Sequence, residues 1–166
     1  MKAALVIAAG LALAGGCKKE RGDYSGLGPW RFTTTTLKQA LDSRTALGPI
    51  CQPTTLTDGR KATWCFNMPA IKVGKGTGEM DLYFDGTAPE AKLIEIQIKV
   101  RGCREDDVDH WMRLNFGPPF EQKSTRSYWK NKYLWAAALL PESTAVCRVH
   151  FLPLSENAEI ERLKQK

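Results

Sequence analysis

From Lys92 to Val100 (KLIEIQIKV), apolar and polar side chains alternate, and this pattern constrains the fold more than any other segment does. One face of the predicted strand is apolar and carries Ile94, Ile96, Ile98 and Val100. The other face carries Glu95, Gln97 and Lys99, which we expect to meet water. A strand with one apolar side is typical of an antiparallel sheet that is covered on one face.

Further strands are predicted on both sides of this segment. Before it come Lys61–Met68 and Glu79–Phe84, separated by a glycine-rich turn at residues 73–78. In the second of these strands, one face is apolar and carries Met80, Leu82 and Phe84. After the segment, strands are predicted at residues 127–129, 133–140 and 145–152.

Three helices are predicted from capping residues and from apolar residues at helical spacing. Thr36 and Gln39 form a capping box, and the helix that they begin should stop before Gly48–Pro49. A second helix is expected over Asp106–Leu114, and Ser155 is expected to cap a third, short helix. Their buried residues should be Leu37, Ala40 and Leu41; Val108, Trp111 and Met112; and Ile160 and Leu163.

These elements predict an α+β fold, in which helices pack on one face of an antiparallel sheet. Both halves of the chain run in the order helix, apolar-Gly-Pro, aromatic strand, so residues 33–100 and 105–152 form a candidate tandem repeat. Leu47–Pro49 matches Phe116–Pro118, and Trp64 matches Trp129 or Trp135. Coincidence is the alternative interpretation.

The first seventeen residues indicate export. Lys2 is followed by an uncharged apolar run from Ala3 to Ala14, which is shorter than the roughly twenty residues that a membrane span needs. Small residues then precede Cys17. This order resembles the bacterial lipobox, in which the cysteine is acylated and becomes the new N-terminus. The resemblance implies that residues 1–16 are removed and that Cys17 carries lipid; an ordinary cleaved signal peptide is the alternative.

The lipobox resemblance implies a cell-envelope lipoprotein held in the membrane by its acyl chains. Lys18, where an Asp would retain a lipoprotein in the inner membrane, favours the outer membrane, facing the periplasm or the cell surface. Residues 17–28 are expected to form a polar, flexible tether, and residues 29–166 a single domain. Lys18, Lys19 and Arg21 should lie near anionic headgroups.

The chain is basic, with a net charge of +6 that falls to +5 once residues 1–16, which contain only Lys2, are removed. A positive surface favours anionic partners such as lipid headgroups, a cell-wall polymer or an acidic protein. We expect no nucleic acid partner, because an exported lipoprotein rarely meets nucleic acid.

Four cysteines remain if Cys17 carries lipid, and an even number in an exported chain favours two disulfide bonds. They can pair in three ways. We favour Cys51–Cys65 with Cys103–Cys147, because this pairing closes one short loop and links late strands. A metal site is the alternative, but the chain has no Cys-x-x-Cys pair, and we expect no metal.

A helix, a Gly-Pro break, a Trp-bearing strand and further antiparallel strands resemble the layout of the small outer-membrane assembly lipoproteins. Two such units in tandem resemble the architecture of β-lactamase-inhibitor proteins. The resemblance covers most of residues 33–152. It implies a disulfide between the loop after the first helix and the first strand, which is where Cys51 and Cys65 lie.

Residues 105–110 (EDDVDH) form the densest acidic cluster. Asp106 and His110 lie four residues apart on one predicted helix face and could hold a metal or serve acid–base chemistry. The favoured interpretation is that these acids complement the positive end of the helix dipole. His150 is the only other histidine and no Gly-x-Ser-x-Gly motif is present, so we expect no catalytic residues and no cofactor.

Residues 128–135 (YWKNKYLW) mix aromatic residues with lysines, which is the composition of an interaction surface. The candidate interaction patch comprises Tyr128, Trp129, Lys130, Lys132 and Tyr133. The alternative is that these aromatics pack beneath the second helix.

Together these features predict a non-enzymatic, lipid-anchored binding or assembly module. It would hold an unidentified envelope protein or anionic polymer through its sheet face and the candidate patch. The alternative is a secreted envelope enzyme with an acidic and histidine site near residues 105–110.

Mass spectrometry of the mature protein should find an acylated Cys17 at the N-terminus and no peptide from residues 1–16. A Cys17→Ala variant should leave the membrane fraction, because the acyl chains are the expected anchor. A Lys18→Ala variant keeps the cysteine and should stay in that fraction. An unmodified Cys17 in the mature chain would contradict the lipobox prediction.

Overall fold

The computed structural model describes residues 26–32, 34–43, 48–143 and 145–165, and ten strands and three helices lie in these ranges. The strands are β1 (Gly26–Leu27), β2 (Trp30–Arg31), β3 (Ile50–Thr55), β4 (Lys61–Val73), β5 (Gly76–Phe84), β6 (Leu93–Arg101), β7 (Glu121–Lys123), β8 (Arg126–Lys130), β9 (Leu134–Ser143) and β10 (Val146–Pro153). The helices are α1 (Leu37–Leu41), α2 (Glu105–Phe116) and α3 (Asn157–Gln165).

Eight strands form one antiparallel sheet in the order β3-β4-β5-β6-β10-β9-β8-β7. The predicted antiparallel sheet is confirmed, within a mixed α+β fold that strands dominate. The sheet consists of two four-stranded meanders, β3–β6 after α1 and β7–β10 after α2, which join through their last strands. Residues 1–25, which include the expected leader and Cys17, lie outside the described ranges.

The β1–β2 hairpin begins the described fold at Gly26, three residues before the predicted start of the domain. Gly26 pairs with Arg31 and Leu27 with Trp30, while Leu27, Trp30 and Phe32 pack into the main core. Residues 26–28, which were expected to belong to the tether, therefore take part in the described fold.

The helices cover both faces of the sheet, so the prediction of one covered face is wrong for α3. Helices α1 and α2 pack on the face that we name the core face, and their buried residues join the main cluster. Helix α3 packs on the opposite face, where Ile160 and Leu163 meet Tyr128 and Leu152. The cause is visible in β9, whose residues 136–138 are all alanines and are therefore apolar on both faces.

The capping box of α1 is confirmed: the Gln39 backbone N–H donates to the Thr36 hydroxyl, and the Thr36 N–H donates to the Gln39 side chain. Leu37 and Ala40 are buried, but Leu41 is 48% exposed, contrary to the prediction. Helix α1 ends at Leu41 after five residues, so Leu41 gains no further helical turn to cover it.

Helix α2 buries Val108 and Met112, and Trp111 packs beside them. It ends at Gly117, whose φ of 81° is a conformation that glycine adopts without strain. Helix α3 buries Ile160 and Leu163 as predicted and begins at Asn157 rather than directly after Ser155. Within the described ranges, no helix combines the length and the apolar character that crossing a membrane requires.

Strand β6 departs from its predicted pattern at two points. Its pairing with β5 shifts by one residue between Tyr83–Glu95 and Phe84–Leu93, which removes Ile94 from the apolar row. Glu95 and Gln97 are only 7% and 8% exposed, so the expectation that they meet water is wrong. They are covered because β6 lies in the centre of the sheet, beside β10 and within reach of α3.

The β4–β5 hairpin turns at Gly74 and Lys75, within the predicted glycine-rich turn. Gly74 has a φ of 55°, and a Cβ at this position would lie 2.9 Å from the Asp107 carbonyl oxygen of α2. The turn therefore requires glycine. Strand β4 is longer than predicted and has two irregularities in its pairing with β5, between Cys65 and Met68 and between Met68 and Ile71.

Both predicted disulfides are present. Cys51–Cys65 links directly opposed residues of β3 and β4 with a Cα–Cα distance of 4.0 Å. Cys103–Cys147 links the segment before α2 to β10 with a Cα–Cα distance of 5.7 Å.

Strand β3 is an edge of the sheet and also carries Pro53, which has no backbone N–H.

Replacing each disulfide by two alanines should destabilise the fold most where the closed loop is longer. The separations are 14 residues for Cys51–Cys65 and 44 for Cys103–Cys147. The chain-entropy model gives about 3 kcal/mol for the first and about 4 kcal/mol for the second. Urea unfolding of the two variants, each with its other disulfide oxidised, measures the difference. A larger loss from the shorter loop would contradict loop closure as the main effect.

Candidate binding face

The side of β4, β5, β6 and β10 that lies opposite α1 and α2 carries a mixture of aromatic and charged side chains. We name it the open face, because α3 borders it at β10 while most of its side chains on β4 and β5 stay at least partly exposed. The open face comprises Trp64, Phe66, Glu79, Asp81, Tyr83, Glu95, Gln97, Lys99, Arg101, Arg148 and His150.

An aromatic group lies at the β4 side of the open face. The ring centroid of Trp64 is 4.7 Å from that of Phe66 and 6.4 Å from that of Tyr83, and the Trp64 and Tyr83 rings are nearly parallel. Trp64 and Phe66 border a cleft of about 370 Å³ whose floor includes Met80. Trp64 Nε1 is buried and has no hydrogen-bond partner within the described part of the chain.

Charged residues of β5 and β6 pair diagonally across the open face. Arg101 Nε donates to Glu79 at 2.8 Å, and Lys99 Nζ donates to Asp81 at 2.6 Å. The Arg101 guanidinium lowers the pKa of the Glu79 carboxyl by hydrogen bonding. Lys99 Nζ also lies 5.7 Å from the Trp64 ring centroid, a cation–π contact. These pairs fix the charged side chains beside the aromatic group.

The pairing of β6 with β10 creates a buried polar network. His150 Nδ1 and Glu95 Oε1 are 2.6 Å apart, and the two side chains are only 6% and 9% exposed. Gln97 donates to the same Glu95 oxygen at 3.0 Å and accepts from Arg148 at 2.8 Å. His150 Nε2 is buried without a hydrogen-bond partner among the described residues.

A second cleft, of about 260 Å³, lies between the β3–β4 turn and α3, with Tyr83, Glu95 and Gln97 at its base. Arg60 connects the two walls of this cleft. Its Nε lies 2.7 Å from an Asp58 carboxylate oxygen in the turn, and its Nη2 lies 2.6 Å from a Glu156 carboxylate oxygen before α3. Burial, together with the nearby Glu95 carboxylate, raises the pKa of the Tyr83 phenol. The Tyr83 side chain therefore stays neutral where an exposed tyrosine begins to ionise.

The candidate patch predicted from residues 128–135 is only partly at the surface. Tyr128 and Trp129 are 0% and 2% exposed, so their predicted place in a surface patch is wrong. Trp129 Nε1 donates to the Gly117 carbonyl at 2.9 Å on the core face, and Tyr128 donates to the Leu163 carbonyl at 3.2 Å beneath α3. Neighbouring residues of β8 point to opposite faces, and helices cover both. The remaining patch residues are exposed, namely Lys130, Lys132 and Tyr133.

The acidic segment at residues 105–110 is the first half of α2. Glu105, Asp106 and Asp107 occupy its first turn, where carboxylates complement the helix dipole. His110 is exposed, and the Asp109 carboxylate accepts from Arg113 at 2.5 Å. In the ranges that the structure describes, no group of three or more histidine, cysteine or acidic residues could hold a metal ion.

The polar face of β6 was predicted from the sequence, but its pairing with β10 and the aromatic group beside it were not. Glu95 and Gln97 in β6, and Arg148 and His150 in β10, both alternate with apolar residues. Two strands with polar residues at the same spacing could have indicated neighbours whose polar faces pair. Comparison of the chain with protein-family models, curated proteins and solved structures gives no match.

Replacing Glu95 by alanine should destabilise the fold far more than replacing Glu79. Glu95→Ala leaves His150 and Gln97 buried without their acceptor, which typically costs roughly 3–5 kcal/mol. Glu79→Ala removes a carboxylate from the same face whose side chain is 54% exposed, with an expected loss of at most about 1 kcal/mol. Chemical unfolding of both variants measures the difference. Equal losses in the free energy of unfolding would show that the buried network contributes no more to stability than the exposed ion pair.

Proposed function

We propose that this chain is a lipid-anchored module of a bacterial cell envelope that binds an envelope protein through the open face and performs no chemistry itself. The observation that carries the proposal is the partly exposed aromatic group of Trp64, Phe66 and Tyr83, set among fixed charged side chains. Aromatic residues and arginine dominate the binding energy of protein interfaces.

The charge balance of the open face favours a protein over an anionic polymer. Its basic residues, Lys99, Arg101 and Arg148, are matched by three carboxylates, and each of the first two donates to one of them. A surface of balanced charge has no net attraction for a polyanion. It suits a partner that presents both apolar and polar groups of its own.

The buried Glu95–His150 pair supports a structural role over a catalytic one. His150 Nδ1 faces Glu95, and His150 Nε2 is buried, so neither ring nitrogen reaches a ligand on the open face. A general base needs hydrogen-bond reach to the proton that it removes. The exposed His110 on α2 likewise lies apart from the open face.

The proposed location follows from the sequence. Cys17 after small residues supports a lipid anchor, and Lys18 supports the outer membrane, facing the periplasm or the cell surface. Two disulfides fit an exported chain. The order of α1 with β3–β6 and α2 with β7–β10 supports a tandem repeat of the kind predicted for residues 33–100 and 105–152.

Site-specific photo-crosslinking in intact cells tests the binding face. A photoreactive residue at Arg101, which is exposed on the open face, should give a discrete protein adduct. One at Gln39, which is exposed on α1, should give none. Adding Trp64→Ala should reduce the Arg101 adduct about thirtyfold, the effect of losing a hot spot worth about 2 kcal/mol.

Trp111→Ala is the matched control, because Trp111 is also a partly buried tryptophan but packs on the core face. This variant should keep the Arg101 adduct. Circular dichroism of both variants should show that the sheet survives. Loss of the adduct in both variants, or in neither, would reject the open face as the binding surface.

A further inference from the structure

We propose that the turn between β8 and β9 and the aromatic residues beside it rest on a surface of anionic phospholipids. We name this region the docking corner. It comprises Phe120, Lys130, Lys132, Tyr133, Trp135 and Lys164. It is formed by the β8–β9 side of the sheet and α3, apart from the open face. The inference rests on the proposed function in one respect: the lipid anchor is what would bring the docking corner close to a membrane.

Ammonium groups and aromatic rings share one surface in the docking corner. Lys130 Nζ lies 4.2 Å and Lys164 Nζ 5.5 Å from the Trp135 ring centroid. Lys132 Nζ lies 4.9 Å from the Tyr133 ring centroid. Aromatic rings with adjacent lysines are typical of residues at a membrane–water interface, where the ring enters the headgroup region and the ammonium meets phosphate.

Two aromatic side chains of the corner are available to lipid. Phe120 is 53% exposed and Tyr133 is 40% exposed, and both lie within reach of a lysine of the corner. The Phe120 and Trp135 ring centroids are 5.7 Å apart, so the exposed Phe120 ring packs against the largely buried Trp135 ring. A rigid, projecting ring gains apolar burial on entering the interface with little loss of side-chain entropy.

The chain enters the folded part at the same end of the molecule. Phe32, directly after the β1–β2 hairpin, lines one cleft together with Tyr133. Gly26, the first residue of that hairpin, follows Cys17 by nine positions. The tether expected from the sequence would, at that length, reach about 17 Å. An acylated Cys17 would therefore hold the Tyr133 end of the sheet close to the bilayer.

Charge complementarity supports the same occupant. The two acids that line a cleft with Tyr133 also contact Arg60, which lies 3.6 Å from Asp85 and 2.6 Å from Glu156. Lys130 and Lys132 are both exposed and carry positive charge at this turn, in a chain whose net charge is +5 once residues 1–16 are removed. Lys164 contributes less, since it also lies near Glu121 and Glu161.

Vesicle flotation tests the docking corner with the mature chain, residues 17–166, carrying Cys17→Ala, which has neither the leader nor an acyl group. Binding is compared on phosphatidylcholine vesicles and on vesicles that also contain phosphatidylglycerol. Adding Lys130→Gln and Lys132→Gln should lower binding to the anionic vesicles about 25-fold, since each lysine at such a surface contributes about fivefold. Phe120→Ser should also lower that binding. On vesicles of phosphatidylcholine alone, the lysine variants should bind as the parent chain does, because these vesicles carry no net charge.

The matched control is Lys72→Gln with Lys75→Gln, which makes the same charge change at the exposed β4–β5 turn, at the opposite end of the sheet. This pair should change anionic binding by about twofold or less, because its charges lie beyond the Debye length from the surface. Equal losses in both pairs, or no loss in either, would overturn the proposal. The mass of Cys17 tests the anchor separately, so failure of the anchor and failure of the corner are distinguishable.

Discussion

The antiparallel pairing of β6 with β10 is the interaction on which the rest of the structure depends. Six residue pairs, from Val146–Arg101 to Phe151–Ile96, join the two four-stranded meanders into one sheet. Without this pairing, each meander would expose the apolar row that the other helps to cover, including Ile96 and Ile98 of β6. The core is therefore shared, and the two halves of the chain stabilise one another.

The same pairing gives the open face its fixed geometry. It places the Glu95 carboxylate within 2.6 Å of His150 and the Gln97 amide within 2.8 Å of Arg148. A slip of β10 by one residue would turn Arg148 and His150 towards the apolar core, where they would lack partners. The polar network thus specifies the register of β6 and β10. Because β5 pairs with β6, this register also fixes the position of the aromatic group on β4 and β5.

Local patterns were sufficient for single elements. The capping box at Thr36 and the apolar row of Met80, Leu82 and Phe84 act over a few residues, and the structure has both. The open face depends on which strands become neighbours, and β6 meets β10 across about fifty residues of sequence. Tyr128 and Trp129 were misplaced for the same reason, because only the tertiary fold puts a helix on each side of β8.

The edges of the sheet would matter if the proposed lipid anchor concentrates the protein at a membrane. Strand β3 carries Pro53 and a disulfide to its neighbour, and β7 is only three residues long. An edge strand that lacks a backbone donor, or is this short, offers a poor template for strand addition. Copies that the proposed anchor crowded into one leaflet would thus resist joining edge to edge into a continuous sheet, and the open face of each copy would remain available.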